Sequence, residues 1–280
     1  MNIFEFSFLV WIGSFAAGFL GALTGLGGGV VIVPLLTSVF GVDIRYAIGA
    51  SLISVIATSA GSAATYIRSG FANLRLGMFL EVATTLGSFV GATLATVVPV
   101  KALTVVLGIV LLYSAFFAQQ STPKEVELTE PGSLAERLKL DNCYPTPNGE
   151  GTIAYSVHSV PTGFSLMAVA GLLSGLLGIG SGSLKVLAMD RVMGLPFKVS
   201  TTTSNFTIGV TAAMSAGVYL SRGYVDPGLS MPVMLGVLMG ATAGARVLIG
   251  AKPEWLRWLF SIVLVLLAIK MIYNGLFITG

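Results

Sequence analysis

Apolar residues run along this chain in long blocks, and polar residues gather in the gaps between them. The blocks cover residues 6–24, 29–41, 47–67, 76–97 and 103–118, then 161–180, 184–193, 200–220, 231–250 and 256–275. No Asp, Glu, Lys or Arg falls between Glu5 and Asp43, between Arg45 and Arg68, or between Lys101 and Lys124. The same holds from Glu150 to Lys185 and from Lys198 to Arg222. A helix needs about 20 mostly apolar residues to cross a bilayer core, so the pattern predicts membrane-spanning helices. A transmembrane barrel would alternate apolar and polar residues over segments of about ten, and these continuous blocks do not. Blocks 29–41 and 184–193 are too short to span alone. Each follows a glycine-rich break, Gly25-Leu-Gly-Gly-Gly29 or Gly178-Ile-Gly-Ser-Gly182.

The two halves of the chain repeat one another. Aligning Gly18 with Gly171 also places Gly25 on Gly178, Gly27 on Gly180 and Gly29 on Gly182. Further along, Ser51 meets Ser204, Tyr66 meets Tyr219, and Gly87 and Gly91 meet Gly240 and Gly244. A gapless match of this length marks an internal repeat. Paired, glycine-interrupted short segments in the two halves are the sequence pointer to a secondary transporter's binding site.

Basic residues concentrate at opposite ends of the two repeats. The loop 68–75 carries Arg68 and Arg75 without an acid, whereas its partner 221–230 balances Arg222 with Asp226. Arg191 and Lys198 follow the second short block, where the first half has Asp43 and Arg45. Under the positive-inside rule this predicts inverted halves, with 68–75, 119–160 and 251–257 in the cytoplasm and both termini outside. The expected fold is an all-α polytopic membrane protein of two inverted repeats. Each repeat has about four to five transmembrane segments, including a short helix after its break. The expected divisions are 1–118, a polar linker at 119–160, and 161–280. In the linker, residues 123–141 suit a short surface helix. Two alternating runs around Asn148-Gly149 predict a β-hairpin.

Composition narrows the function. The chain is 55% hydrophobic and 10% charged, against about 25% charged in soluble domains. A net charge of +3 reports topology and implies no nucleic-acid partner. One cysteine, Cys143, and one histidine, His158, exclude a disulfide framework and multi-cysteine metal sites. No metal or cofactor is expected. The first block lacks a basic stretch before it, so it is expected to be a first helix rather than a cleaved signal.

The candidate chemistry gathers at the breaks. Glycines let backbone approach a ligand closely, and a helix that starts after a break aims its N–H groups and positive dipole end at an anion. Gly27, Gly28 and Gly29, with Gly180, Ser181 and Gly182, are therefore candidate substrate-binding residues; the alternative is that the glycines only permit close packing. Neither break is followed by Gly-Lys-Ser/Thr, which argues against nucleotide binding. Ser51, Ser204 and Asn205 could hydrogen-bond an oxyanion without a buried charge, or serve helix contacts. Ionisable residues inside apolar blocks are functional candidates by default. Lys185 and Arg246 are taken into the candidate site, and Lys185 either neutralises an anion or forms a structural ion pair. Glu81 is a weaker candidate. Asp190, Arg191 and Lys270 lie near block ends, where they can reach the interface. The Gly87/Gly91 and Gly240/Gly244 pairs read as packing motifs, at a helix–helix or dimer contact.

The run Ala17-Gly-Phe-Leu-Gly-Ala-Leu-Thr-Gly-Leu-Gly-Gly-Gly-Val-Val-Ile-Val-Pro34, with Gly49-Ala-Ser-Leu52 downstream, resembles the TauE/SafE sulfite exporter family. So does the second copy, Gly171 to Gly182 with Lys185-Val186. The likeness covers nearly the whole chain outside 119–160. It departs from the family pattern at Ser181, Leu187 and Ala50. The resemblance implies a multi-pass permease of the cell (plasma) membrane for sulfite, sulfoacetate or a related organosulfonate. The expected partners are a small anionic substrate and the lipid bilayer, with a coupling ion such as H+ and a homodimer as further candidates. A channel, an accessory or assembly protein, and a membrane-embedded enzyme are the competing readings. Against the enzyme, the apolar blocks hold no His/Cys/carboxylate constellation.

Overall fold

The structure, a computed structural model, describes residues 3–24, 27–68, 70–119, 134–145, 151–180, 182–250 and 253–278. The first half contains α1 (Ile3–Thr24), α2 (Gly29–Ser38), α3 (Ile44–Arg68), α4 (Leu74–Ala95) and α5 (Val100–Gln119). Among its described residues the linker holds a helical turn, α6 (Leu134–Arg137), and the strands β1 (Asn142–Pro145) and β2 (Thr152–Tyr155). The second half contains α7 (Val160–Leu177), α8 (Gly182–Leu187) with a π-helical turn at Ala188–Val192, α9 (Phe197–Ser221), α10 (Pro227–Gly250) and α11 (Pro253–Tyr273). Among the described residues, five of these helices contain stretches long and apolar enough to cross a membrane: Glu5–Leu23, Ile44–Arg68, Leu74–Ala95, Val160–Leu177 and Pro227–Val247. Helices suit this setting because they satisfy their backbone groups internally, where no water can.

The halves interlock rather than sit side by side. α1 of the first half packs along α10 of the second, and α4 packs along α7. Glycines make both contacts. A Cβ on Gly87 or Gly91 would strike the Ala168 or Leu172 carbonyl, and one on Gly240 or Gly244 would strike that of Phe15 or Phe19. The glycine pairs thus serve helix contacts within one chain, as small residues do in membranes, and those faces are not open to a dimer partner.

Two pairs of equivalent helices, α3 with α9 and α5 with α11, meet antiparallel. In the α3–α9 pair, Gly49 lies against the Tyr224 carbonyl just past the end of α9, while Ser59 Oγ donates to Phe206 O at 3.0 Å near its start. In the α5–α11 pair, Ser261 Oγ donates to Ala115 O at 2.6 Å, and Gly108 packs against Ala268 and Ile272. The largest buried cluster runs through both halves, from Val30 and Val55 to Ile208 and Leu264.

The short helices fold back on their predecessors. Gly13 faces Leu35 and Gly21 faces Gly28, so α2 returns along α1. Likewise His158 N–H donates to Met193 O at 3.0 Å, and Gly163 faces Met193, so α8 and its π turn return along α7.

The linker docks on both halves: Ala135, Leu140 and Tyr155 share a buried cluster with Leu76 and Leu80 of α4 and with Met189 and Met193 of the second half. Its strands pair antiparallel from Asn142↔Tyr155 to Pro145↔Thr152, with the Asn148-Gly149 turn outside the described residues. Of the surface helix expected within 123–141, the described part is α6. Asn73 ties the linker to the helices. Its Oδ1 accepts from Leu76 N at 3.0 Å and caps α4. Its Nδ2 donates to Leu140 O and the Tyr155 hydroxyl at 2.8 and 2.9 Å, and its N–H donates to Thr203 Oγ1 at 2.9 Å. Asp226, the repeat partner of Asn73, accepts from Leu229 N at 3.0 Å at the start of α10. Burial raises the pKa of the Tyr155 hydroxyl, partly opposed by its bond from Asn73.

Candidate functional site

The two breaks meet at the crossing of α3 and α9. Gly27 and Gly180, repeat partners, both adopt φ of +75°. Gly28 and Gly178 also have positive φ. An L-residue in this left-handed region costs about 1–2 kcal/mol, so the glycines are required by conformation as well as space.

The contacts around the breaks follow the repeat and cross between halves. A Cβ on Gly27 would strike Ile208 Cδ1 on α9, and one on Gly180 would lie 2.9 Å from Val55 Cγ1 on α3. Val55 and Ile208 are themselves repeat partners, and both are fully buried. Two branched aliphatic side chains therefore stop the two breaks.

Hydroxyls bind the breaks to the crossing helices. Ser51 Oγ donates to Gly178 O at 2.6 Å, with Gly29 O at 3.3 Å, so one side chain touches both breaks. Ser204, its repeat partner, places its Oγ 3.3 Å from Gly182 O. These hydroxyls face carbonyls. The Gly27 and Gly29 N–H groups are also engaged within the chain, by Gly21 O at 3.4 Å and Gly27 O at 2.6 Å. The expected cradle of free N–H groups is therefore absent at Gly27 and Gly29 in this conformation. The physical reason is that buried backbone donors nearly always find a partner.

Asn205 lies beside the first break, with Nδ2 donating to Ala22 O at 3.1 Å and to the Tyr66 hydroxyl at 3.0 Å. The Ala22 carbonyl, which also accepts from the Tyr66 hydroxyl at 2.9 Å, would repel the amide oxygen, and this fixes the amide orientation. That leaves Asn205 Oδ1 buried without a hydrogen-bond partner among the described residues.

Lys185 points away from the breaks. Its Nζ donates to Glu81 Oε2 at 2.6 Å and to Thr211 Oγ1 at 2.8 Å, with Thr207 Oγ1 at 3.4 Å. The Thr211 hydroxyl also donates to Glu81 Oε1. The crevice around this cluster, lined by Gly77, Met167 and Thr203 among others, has no room for a water molecule. Of the two roles open to Lys185, the structure displays the ion pair.

Arg246 is exposed on α10, while the residues around the breaks are buried. Helix rotation explains this placement: its neighbour Ala245 turns inward against Leu23 and Tyr66. Ser181 lies outside the described residues. The site as built thus joins Gly27, Gly28, Gly29, Ser51, Gly180, Gly182 and Ser204, with Asn205 alongside. Sequence reasoning missed Val55 and Ile208, although the repeat register pairs them. It also missed Thr211, which no charge or glycine signal marks. Among the described residues, no three His, Cys, Asp or Glu side chains gather as metal ligands.

Comparison with known proteins gives this architecture its context. Residues 10–271 match the family described as Sulfite exporter TauE/SafE. The chain is 30% identical to "Probable membrane transporter protein YunE" of Bacillus subtilis (strain 168), over 98% of this chain and 99% of that protein. It is 27% identical to "Probable membrane transporter protein YdhB" of the same organism, over 85% and 89%. It is 24% identical to "Probable membrane transporter protein ORF9" of Sinorhizobium sp, over 94% and 91%. No solved structure matches. A family match over almost the whole chain, a relative alike from end to end and apolar helices of spanning length agree: this chain belongs to the TauE/SafE family and is a membrane transporter.

Proposed function

We propose that the chain is a multi-pass carrier of the cell membrane that moves a small sulfur-containing oxyanion, such as sulfite, sulfoacetate or a related organosulfonate, without a catalytic step of its own. The observation that carries this reading is the meeting of the two breaks on Ser51, whose hydroxyl touches a carbonyl of each. A substrate entering here would take the hydroxyls of Ser51 and Ser204 away from those carbonyls. Separation of the breaks would also free backbone N–H groups for an anion, as helix starts do. The antiparallel α3–α9 crossing supports an inverted repeat, so that opening on one side mirrors opening on the other. The basic loops support a cytoplasmic position for residues 68–75 and the linker.

The test is flux into vesicles containing the purified protein. Labelled sulfite, sulfoacetate, sulfate, thiosulfate and a carboxylate are each offered with and without a proton gradient. Uphill accumulation of a sulfur oxyanion supports the carrier. Flux that only equilibrates indicates a channel. Preference for the carboxylate would overturn the substrate class.

A further inference from the structure

Glu81 lies within the spanning stretch Leu74–Ala95, and its ion pair with Lys185 is almost wholly buried, the two side chains being 10% and 2% exposed. A buried pair is weak evidence for stability, because apolar residues of similar size often serve as well. The repeat shows as much within this chain. At the equivalent place stand Met234 and Ile32, so the fold there does without charge. The neighbouring hydroxyls occur in both halves, since Thr207 and Thr211 are the repeat partners of Ser54 and Thr58. Thr58 Oγ1 turns back to Ser54 O of its own helix at 2.9 Å. Thr211 instead donates to Glu81 Oε1 and accepts from Lys185 Nζ at 2.8 Å. The pair is also tied to the second break. Lys185 Nζ lies 3.4 Å from Thr207 Oγ1, which donates to Ser204 O at 3.2 Å, and Ser204 Oγ lies 3.3 Å from Gly182 O.

We propose that Glu81 carries a proton that travels with the anion, and that Lys185, released when Glu81 is protonated, supplies the positive charge that accompanies the anion. This rests on the carrier proposed above. The charge of the site explains the coupling. With Glu81 ionised and no anion, the pair is neutral. With a proton on Glu81 and a singly charged anion beside Lys185, it is neutral again. A proton alone leaves a bare positive charge, and an anion alone leaves a bare negative one. Both half-loaded states bury an unpaired charge, which is costly between membrane helices. Proton and anion therefore favour each other's binding, by the same factor in each direction. The proton enters from water when one side opens and leaves when the other does. In the closed arrangement the crevice has no room for water, so the proton cannot exchange with either side. Among the described residues, the other titratable groups of the elements packed here face elsewhere. α7 has none. Arg75 of α4 donates to Lys139 O, and the Tyr155 hydroxyl of the linker accepts from Asn73. On α9, Lys198 lies over the Phe71 ring and Tyr219 donates to Leu176 O. Asp190 and Arg191 lie 3.9 Å apart, and neither lines the crevice. Lys101 of α5 is exposed, and Tyr113 lines a groove with Leu184 and Leu187 of α8 instead.

The experiment uses the purified, full-length protein in vesicles with the membrane potential held at zero. Labelled sulfite, methanesulfonate and thiosulfate are offered in turn, first against unlabelled anion inside to measure counterflow, then under a pH gradient that is alkaline inside. An anion that moves should accumulate about tenfold for each pH unit, the ratio of proton activities, if one proton accompanies it. Glu81→Gln, which keeps the shape of the protonated carboxyl, should retain counterflow and lose gradient-driven accumulation. A purely structural pair would lose both together. Glu136→Gln, at an exposed carboxyl of the linker, should accumulate as the wild type does. Wild-type counterflow without accumulation under the gradient overturns the coupling alone, whether or not any variant folds. Absence of counterflow and of accumulation for all three anions overturns the carrier and the coupling together. Accumulation by Glu81→Gln at the wild-type level overturns the assignment to Glu81, as does loss of counterflow in that variant while it remains folded. If Glu81→Gln does not fold, the double variant Glu81→Leu with Lys185→Met decides, and gradient-driven accumulation in it overturns the proposal.

Discussion

Lys185 and Glu81 join the two halves of the transporter, Nζ to Oε2 at 2.6 Å, and Thr211 bonds to both. The repeat partners of the charged pair are Met234 for Glu81 and Ile32 for Lys185, so only one of the two equivalent places carries charge. Removing one member of a buried pair leaves an uncompensated charge and typically costs about 3–5 kcal/mol, whereas replacing both with apolar residues of similar size is often tolerated. Lys185→Met or Glu81→Leu alone should lower the melting temperature sharply. The double variant should recover most of the loss. Additive losses in the double variant would show that the two side chains are not coupled.

Gly27 and Gly180 should be intolerant of side chains for two separable reasons. Gly180→Ala brings a methyl to about 2.9 Å from Val55 and also imposes the unfavourable φ. Combining Gly180→Ala with Val55→Ala relieves the first and keeps the second, about 1–2 kcal/mol. Vesicle flux and melting temperature are expected to recover only in part in the double variant. Full recovery would leave crowding as the whole effect.

Ser51→Ala and Ser204→Ala separate the bridge between the breaks from a contact within one half. Ser51→Ala strips Gly178 O of its 2.6 Å donor, and an orphaned buried carbonyl costs about 1–3 kcal/mol. Ser204→Ala removes a longer contact of 3.3 Å. Ser51→Ala should therefore lose more stability, and both should lose anion flux. Unaltered flux in Ser51→Ala would remove it from the site.

The antiparallel crossing of α3 and α9 makes a topological prediction. In a Cys143→Ser background, Ala72→Cys and Val225→Cys are expected to react with an impermeant thiol reagent from opposite faces of sealed vesicles. Reaction of both from one face would exclude inverted halves.

Asn73→Ala should loosen the linker without unfolding the membrane helices. Five hydrogen bonds of Asn73 reach α4, α9 and the linker, and three of them use its side chain. Hydrogen exchange should rise in β1, β2 and the first turn of α4, with α3 and α9 unaffected. Unchanged protection in the strands would place their anchorage elsewhere.

The apolar blocks, the repeat and both breaks were legible in the sequence. A helix that spans lipid carries a long apolar block, and a left-handed turn favours glycine, although Lys139 and Ser159 also adopt positive φ. These are local requirements, so they leave local marks such as Gly27 and Gly180. The antiparallel pairing of the linker strands could likewise be anticipated from alternation around a turn. What stops the breaks could not. Val55 and Ile208 are ordinary aliphatic residues in apolar helices, and only the crossing of α3 over α9 brings each against the other half's glycine. The partner of Lys185 was equally hidden, because Glu81 lies 104 residues away in the chain, and only the packing of α4 on α7 and α9 turns it toward α8. Arg246 shows the converse: charge in an apolar block marked it for the site, and the rotation of α10 turned it outward. Periodicity and backbone conformation are written residue by residue, whereas which side chains meet depends on how helices cross and rotate, and that is decided by packing over the whole molecule.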